Sequence, residues 1–385
     1  MKVLHVIGSM NPETGGVCKA VRDIIDGMKI LKSDIINSVL CLDPKDASYL
    51  KEDPFTVIAL EDNRTGWSYS KALMPWLKKH VKNYDLLIVH GLWQYQSFAV
   101  CKAAKATQVP YYVMPHGMLD PYFQKAKERK LKAIRNRVFW EVVERNLVNS
   151  AEGLLFTCEE EKQLARTTFK GYRPNSEKVV GLGVDVPPKE TIEMEKALKA
   201  KVPEWNENPF WLFLSRIHPK KGVDLLIDAY IKLEKEHSVL PQLIIAGPGG
   251  ETEYGQMVFE KAKGSKHIYF PGMLSGDARW GAFYKAEAFV LTSHQENFGF
   301  AVVEAISCGT PVLISDKVNI WREIKNGNVG MVEVDTKKGA YELLSKWFRL
   351  NNVAKENYAE ETLKVYQKYF DVKEVSKQFV KAIKR

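Results

Sequence analysis

One pattern constrains this chain more than any other: an alternation of short apolar runs with longer stretches of helical periodicity, which runs once, stops, and runs again. In the first half Val3–Ile7, Asp85–Val89, Tyr111–Met114 and Leu154–Thr157 have the length and content of strands. Between them Val17, Ala20, Val21, Ile24, Ile25, Met28 and Leu31 recur at helical spacing. In the second half Phe210–Leu214, Leu243–Ala246, His267–Phe270, Ala288–Thr292, Val312–Ser315 and Met331–Val334 repeat the strand pattern. Strands separated by helices predict βαβ units and a parallel sheet. The fold class is therefore α/β, with two Rossmann-like doubly wound parallel-sheet domains facing across a cleft. The 385 residues suit two such domains. The alternation breaks between Gly183 and Asn208, where Pro187, Pro188 and Pro203 flank a charged stretch. This reads as an interdomain connection with a short helix at Glu190–Lys199.

Composition limits the setting. Five cysteines, odd in number, are scattered without metal-ligand spacing, as expected of reduced thiols in a cytoplasmic protein rather than a disulfide frame. The opening MKVLHVIGSM is too short an apolar run for a secretory signal, and no stretch reaches the ~20 apolar residues of a membrane span. The formal net charge of +9 favours anionic partners. It concentrates between Gln124 and Arg137, where Lys125, Lys127, Arg129, Lys130, Lys132, Arg135 and Arg137 stand against the single acid Glu128, interleaved with Ala126, Leu131, Ile134, Val138 and Phe139. Two readings stay open for this amphipathic helix: a solvated face, or a face docking on an anionic membrane, where each basic residue contributes ~1 kcal/mol. Nucleic acid is disfavoured, because no recognition motif accompanies the charge.

Open α/β sheets bind ligands at the carboxyl ends of their strands, so the loops after strands are where chemistry belongs. Gly15-Gly16 follow the first strand and precede a long helix, whose N-terminus suits a phosphate. Arg216 and Lys221 follow the first strand of the second half, five residues apart. Arg216 can fork onto phosphate oxygens and Lys221 adds a point charge, so together they can neutralise a leaving diphosphate without a metal. Glu296 and Glu304 follow Ala288–Thr292, eight residues apart. On one helix they would lie ~12 Å apart along the axis and about 80° apart around it, so they are not a paired-carboxylate dyad and serve separate tasks. His116-Gly117 and His90-Gly91 each end a strand, as structural histidines or as groups lining a site. No DxD occurs, no His/Cys cluster has metal spacing, and neither GxSxG nor a kinase signature is present, so no metal site is expected.

Taken in order, these positions resemble the family-4 retaining glycosyltransferases of the GT-B fold, the bacterial polysaccharide-type group 1 glycosyltransferases, over nearly the whole chain. The most specific part is the acid-seven-acid run from Glu296 through Asn297, Phe298 and Gly299 to Glu304. Arg216 with Lys221-Gly222 comes next, then Gly15-Gly16-Val17, His116-Gly117 and Gly181-Leu-Gly-Val-Asp185. The resemblance implies an acceptor-side domain over 1–186, with a C-terminal helix (370–385) packing back on it, and a donor-binding domain over 205–369. It implies that Glu304 holds the ribose of a UDP-, GDP- or ADP-sugar. Arg216 and Lys221 would bind the diphosphate with backbone groups of Gly16, Phe298 and Gly299. Glu296 and Asn297 would lie beside the transferred sugar, His116 would contact it and its developing charge, and Gly272-Met273-Leu274 would read the base. The implied reaction is retaining, metal-independent and without a cofactor beyond the donor, on a glycan or lipid-linked acceptor in cell-surface polysaccharide assembly. It would run in the cytoplasm, peripherally at the inner face of the plasma membrane. The compact loop Asn11-Pro12-Glu13-Thr14 departs from many relatives, so acceptor contacts do not transfer. A nucleotide-sugar epimerase of the same fold and a non-catalytic sugar-nucleotide sensor remain as alternatives.

Overall fold

The computed structural model describes residues 1–61, 67–126 and 129–384. The chain divides into two compact units, Met1–Gly183 together with Val372–Arg385, and Val184–Asp371.

The first unit is built on seven strands: β1 (Lys2–Val6), β2 (Ile36–Cys41), β3 (Thr56–Ala59), β4 (Leu86–His90), β5 (Tyr111–Met114), β6 (Gly153–Phe156) and β7 (Glu177–Val179). They lie in the order β3-β2-β1-β4-β5-β6-β7 and every pair is parallel. Helices cover both faces, which is why β4 is buried at every residue and reads, up to its terminal His90, as a continuous apolar run rather than an alternating one. Successive side chains of β2 show the two faces. Leu40 joins the cluster of Leu4, Val6, Leu87, Val89 and Trp140, whereas Val39 and Cys41 join Ile7, Met10, Val21 and Ile25. Strand order reverses between β1 and β4, the place where a doubly wound sheet opens to a ligand.

β2, β3 and β7 are absent from the sequence reading. β2 carries Asn37 and Ser38 inside a six-residue run, and β3 and β7 are short strands at the two edges. A helix over Val372–Ile383 closes the unit, burying Val372, Val375, Phe379 and Ile383. It approaches the helix Gly16–Ile30 so closely that a Cβ on Gly27 would lie 1.9 Å from Ser376 Oγ.

The second unit repeats the plan with β8 (Phe210–Leu214), β9 (Gln242–Ala246), β10 (Ile268–Tyr269), β11 (Ala286–Leu291), β12 (Val312–Ser315) and β13 (Gly330–Glu333), in the order β10-β9-β8-β11-β12-β13, all parallel. The register of β11 on β8 shifts at Glu287, whose Oε1 receives Trp211 Nε1, Trp347 Nε1 and Lys355 Nζ at 2.9–3.0 Å. The segment read as a connection belongs to this unit from Val184 onward. Its helix Ile192–Lys201 packs on the helix Gly276–Lys285, where a Cβ on Gly281 would meet Met194 O at 2.3 Å, and Trp205 is buried. Prolines mark the ends of this stretch; Met194, Leu198 and Trp205 make it part of a core.

The basic segment is helical in two pieces, Tyr122–Lys125 and Lys130–Phe139, and the second runs through a π-helical turn, Trp140–Glu144, into Arg145–Ser150. Lys127 and Glu128, which belong to the expected amphipathic helix, lie outside the described residues.

Candidate functional site

In the second unit the loops leaving β8 and β11, neighbours at the reversal of strand order, are stitched together by the backbone. His294 N–H donates to Lys220 O at 2.9 Å, and Thr292 Oγ1 donates to Gly222 O at 2.8 Å. Gly222 has φ +63°, and a Cβ there would lie 2.0 Å from Thr292 O, so only glycine lets the loops close to this distance. The stitching sets Lys221 Nζ against Glu296 Oε2 as an ion pair, with side chains 11% and 20% exposed. Glu296 is itself clamped: its N–H donates to Lys317 O and its carbonyl accepts from Asn319 N–H, both at 2.9 Å. Burial pushes the Glu296 carboxyl up, but the cations Lys221, Lys220 and Arg216 outweigh it and hold the group below its ordinary range. Arg216 is exposed at the mouth of β8. His218 is lowered by burial and by the same three cations, and its Nδ1 accepts from Lys220 N–H. The result is a cationic loop pair holding one ionised acid.

Glu304 occupies a different position. Glu296 precedes the helix Phe300–Ser307, whereas Glu304 lies inside it, only 4% exposed and paired with Arg279. Arg279 comes from the helix Gly276–Lys285 and also faces the rings of Trp280 and Phe283 at 5.3 and 5.8 Å. The two acids thus have separate cationic partners. Gly299 starts the helix with φ +79°. Phe298 is buried against Phe300 and Phe370, and Asn297 Oδ1 accepts from Asn319 Nδ2 at 3.4 Å. Gly272, with φ +73° and open space where a Cβ would stand, accepts Gly247 N–H at 2.8 Å; beside it Met273 is 65% exposed and Leu274 is buried. The first turn of a helix leaves backbone donors without intrahelical partners, and positive potential collects there.

In the first unit Gly15 has φ +106° with open space around it, and Gly16 begins the helix Gly16–Ile30. The loop before them is pinned by Asp43, which accepts from Ser9 Oγ and Met10 N–H, both at 2.6 Å. His116 follows β5 with φ +51°. Its neighbour Gly117 donates its N–H to Glu161 Oε1 at 2.5 Å, and Glu161 Oε2 accepts from Thr157 N–H and Oγ1, both at 2.7 Å. His116 is the end of a file of three imidazoles. His116 Nε2 lies 2.9 Å from His90 Nδ1, His90 Nε2 lies 2.9 Å from His5 Nδ1, and His5 Nε2 lies 3.1 Å from Asn37 Oδ1. Burial lowers all three, His5 to about 4 and His116 to about 3, against a weaker raising of His5 by its hydrogen bond to Asn37 Oδ1. The rings are joined in a file rather than converging on a point, and among the described residues no group of His, Cys, Asp and Glu could hold a metal ion.

Gly15, Gly16 and His116 belong to the first unit and the remaining candidates to the second. Within the second unit the fold joins Lys221 to Glu296 and keeps Glu304 apart on Arg279. The sequence reading missed Arg279, Glu161, Asn37 and His5. Of these only His5 left a signal, a polar residue in the middle of an apolar strand.

Residues 15–183 match the family model described as a glycosyl transferase 4-like domain, and residues 194–364 match that of glycosyl transferases group 1. An uncharacterized glycosyltransferase of Methanocaldococcus jannaschii is 30% identical over 40% of this chain and 44% of its own length. A D-inositol 3-phosphate glycosyltransferase of Jonesia denitrificans is 27% identical over 50% of this chain and 47% of its own. The chain spans half or less of the length of these curated relatives. Among solved structures, Anabaena HepE in complex with UDP and glucose superposes with a TM-score of 0.76 at 18% identity, covering 100% of this chain and 99% of that one. WaaG, a glycosyltransferase involved in lipopolysaccharide biosynthesis, superposes with a TM-score of 0.70 at 15% identity, covering 99% of each chain. These likenesses establish the GT-B class of fold, two parallel-sheet α/β domains of seven and six strands. With a glycosyl transferase 4-like model on the first unit and a group 1 model on the second, the chain belongs to the glycosyl transferases.

Proposed function

We propose that this chain moves a sugar from a nucleoside-diphosphate donor to an acceptor hydroxyl with retention at the anomeric carbon. The observation that carries the reading is the loop pair after β8 and β11, where Arg216, Lys221 and Glu296 meet at the reversal of strand order. Arg216 and Lys221 take the diphosphate, and charge that develops on the departing phosphate meets cations already in place, the arrangement that lowers a barrier without reorganisation. The N-terminus of the helix Phe300–Ser307, with Phe298 and Gly299, adds backbone dipole. Glu304 takes the ribose hydroxyls, Arg279 yielding or sharing its carboxylate. Glu296 and Asn297 orient the sugar. Gly272, Met273 and Leu274 take the base, and Gly15 and Gly16 allow close approach of backbone to phosphate. The leaving phosphate accepts the acceptor's proton on the face it departs from, so positioning rather than a protein nucleophile sets the rate. His116 touches the sugar as a neutral imidazole. That the HepE structure contains UDP and glucose supports a nucleotide-sugar donor here.

The test is a panel of UDP-, GDP- and ADP-sugars. Ligand at a hundred times its dissociation constant stabilises the folded state by about 2.7 kcal/mol, so one donor should raise the melting temperature clearly above the others. Transfer to lipid-linked glycans with that donor, the product anomer read by NMR, should show retention. An inverted product, or a changed free sugar released without acceptor, would overturn the reading.

The same proposal includes an anionic membrane surface at the inner face of the plasma membrane and a lipid-linked acceptor. Its support is the helix Lys130–Phe139 and the turn after it. Leu131 (84% exposed), Ile134 (63%), Val138 (56%) and Val142 (74%) fall at helical spacing beside the exposed Lys130, Lys132, Arg135 and Arg137. Among the described residues no helix is long and apolar enough to cross a membrane. Flotation with phosphatidylglycerol vesicles should carry the protein up, and Leu131→Ser with Ile134→Ser should leave it in the dense fraction. Equal flotation on neutral vesicles would overturn the electrostatic part.

A further inference from the structure

We propose that Asn37, His5 and His90 form a one-directional hydrogen-bond chain that fixes His116 as the Nε2–H tautomer, leaving its Nδ1 as a lone-pair acceptor for a sugar hydroxyl. The direction is set at the far end. Asn37 Oδ1 faces His5 Nε2 at 3.1 Å, and Asn37 Nδ2 faces the thioether of Met28 at 3.4 Å. A thioether sulfur accepts and does not donate, so the amide keeps its NH₂ on Met28 and its oxygen on His5. An amide oxygen carries no proton, so His5 Nε2 must supply one. A neutral imidazole has one N–H and one lone pair, so His5 Nδ1 is then bare. Across 2.9 Å that bare nitrogen takes the proton of His90 Nε2, and His90 Nδ1 takes the proton of His116 Nε2. One choice at Asn37 therefore propagates through three rings to the loop after β5.

The chain is insulated. His5 is fully buried and His90 is 1% exposed, so a fault in the sequence, two lone pairs or two N–H groups face to face, would have no water to absorb it. Burial also keeps the rings neutral, which the argument from tautomers requires. The last link is held by backbone: His116 sits at φ +51° with Gly117 N–H on buried Glu161. His90, His5 and Asn37 are positioning residues, since they act only through His116. The role assigned to Nδ1 rests on the sugar-transfer reading above, whereas the tautomer does not.

Long-range proton–nitrogen correlation spectra of the unliganded, histidine-labelled full chain decide the matter. His116 is expected to show a pyridine-type Nδ1 and a protonated Nε2 at neutral pH, as are His90 and His5. Asn37→Leu removes the pin and should mix the His116 tautomers, with kcat/KM for the best donor falling about tenfold. Asn37→Asp offers only acceptor oxygens and should restore the wild-type tautomer. A protonated Nδ1 on His116 in the wild-type spectrum, which needs no variant to fold, would overturn the proposal. So would an unchanged spectrum in a folded Asn37→Leu. If the tautomers are as stated but no nucleotide sugar supports transfer, the transfer reading fails and the chain stands.

Discussion

The two units solve the same problem, how to hold titratable groups at the open end of a parallel sheet, in opposite ways. In the first, His5, His90 and His116 are discharged by burial and joined by neutral hydrogen bonds. In the second, Glu296 and Glu304 keep partners, Lys221 and Arg279, and Glu296 is held more acidic than usual despite its burial. A desolvated group either loses its charge or acquires a counter-charge, because an unpaired one is the expensive alternative. The difference suits a division of labour in which one unit supplies neutral, directional hydrogen bonding and the other supplies charge.

Removing charge from the second unit is the harshest test. Lys221→Met should lower kcat by about 10²–10³-fold, the cost of losing one preorganised group aimed at developing charge, with the fold retained by circular dichroism. A drop under threefold would show that this unit's cations are structural. Arg279→Leu strands a carboxylate only 4% exposed, and unfolding in urea should reveal a loss of about 3 kcal/mol. No loss there would mean that Glu304 had already found another partner or taken up a proton.

Acid separates the units next. The three histidines have folded-state values below the ordinary 6.5, so the stability they contribute is fully present above 6.5 and is lost as pH falls toward 4 and below. Glu144, pushed up to about 8 by burial against a weaker lowering from Trp93 N–H and Ser97, opposes them in the first unit, because it binds a proton that the unfolded chain releases above about 4.5. Three protons taken up by the unfolded state against one leaves at most two, on the order of 3 kcal/mol per pH unit. Glu296 is lowered, so its contribution is present above 4.5 and lost only as pH falls below that. Hydrogen exchange between pH 6.5 and 5 should therefore loosen β1 and β4 before β8 and β11. The reverse order would break the comparison. The smallest effect lies in the glycines. Gly222→Ala must both adopt φ +63° and push against Thr292 O, and should cost more than 2 kcal/mol, while Gly15→Ala at φ +106° in open space should cost about 1. Equal losses would show that loop stitching at Gly222 contributes nothing beyond backbone strain.

Strand alternation in the sequence was enough to read both parallel sheets, because strands covered on two faces are apolar nearly throughout, as β8 is and as β4 is up to its last residue, His90. In the first sheet the edge strands β3 and β7 escaped; β7 is three residues, two of them charged, and edges need less apolar content. Of the site, Arg216, Lys221 and Glu296 in the loops and Glu304 in the helix after them were legible as charges following strands. Their partners were not. Arg279 is 25 residues from Glu304 and Lys221 is 75 from Glu296, and no local spacing signals such a pair.

What the sequence determined by itself was the periodicity, and with it the class of fold, the number of sheets and the loops that hold chemistry, because hydrophobic pattern is a local property of the chain. Only the tertiary structure decided that Lys221 neutralises Glu296, that Arg279 neutralises Glu304, and that His5, on the first strand, lines up with His90 and His116. Those contacts depend on which strands become neighbours at the reversal of each sheet, and that choice is made by packing over the whole unit.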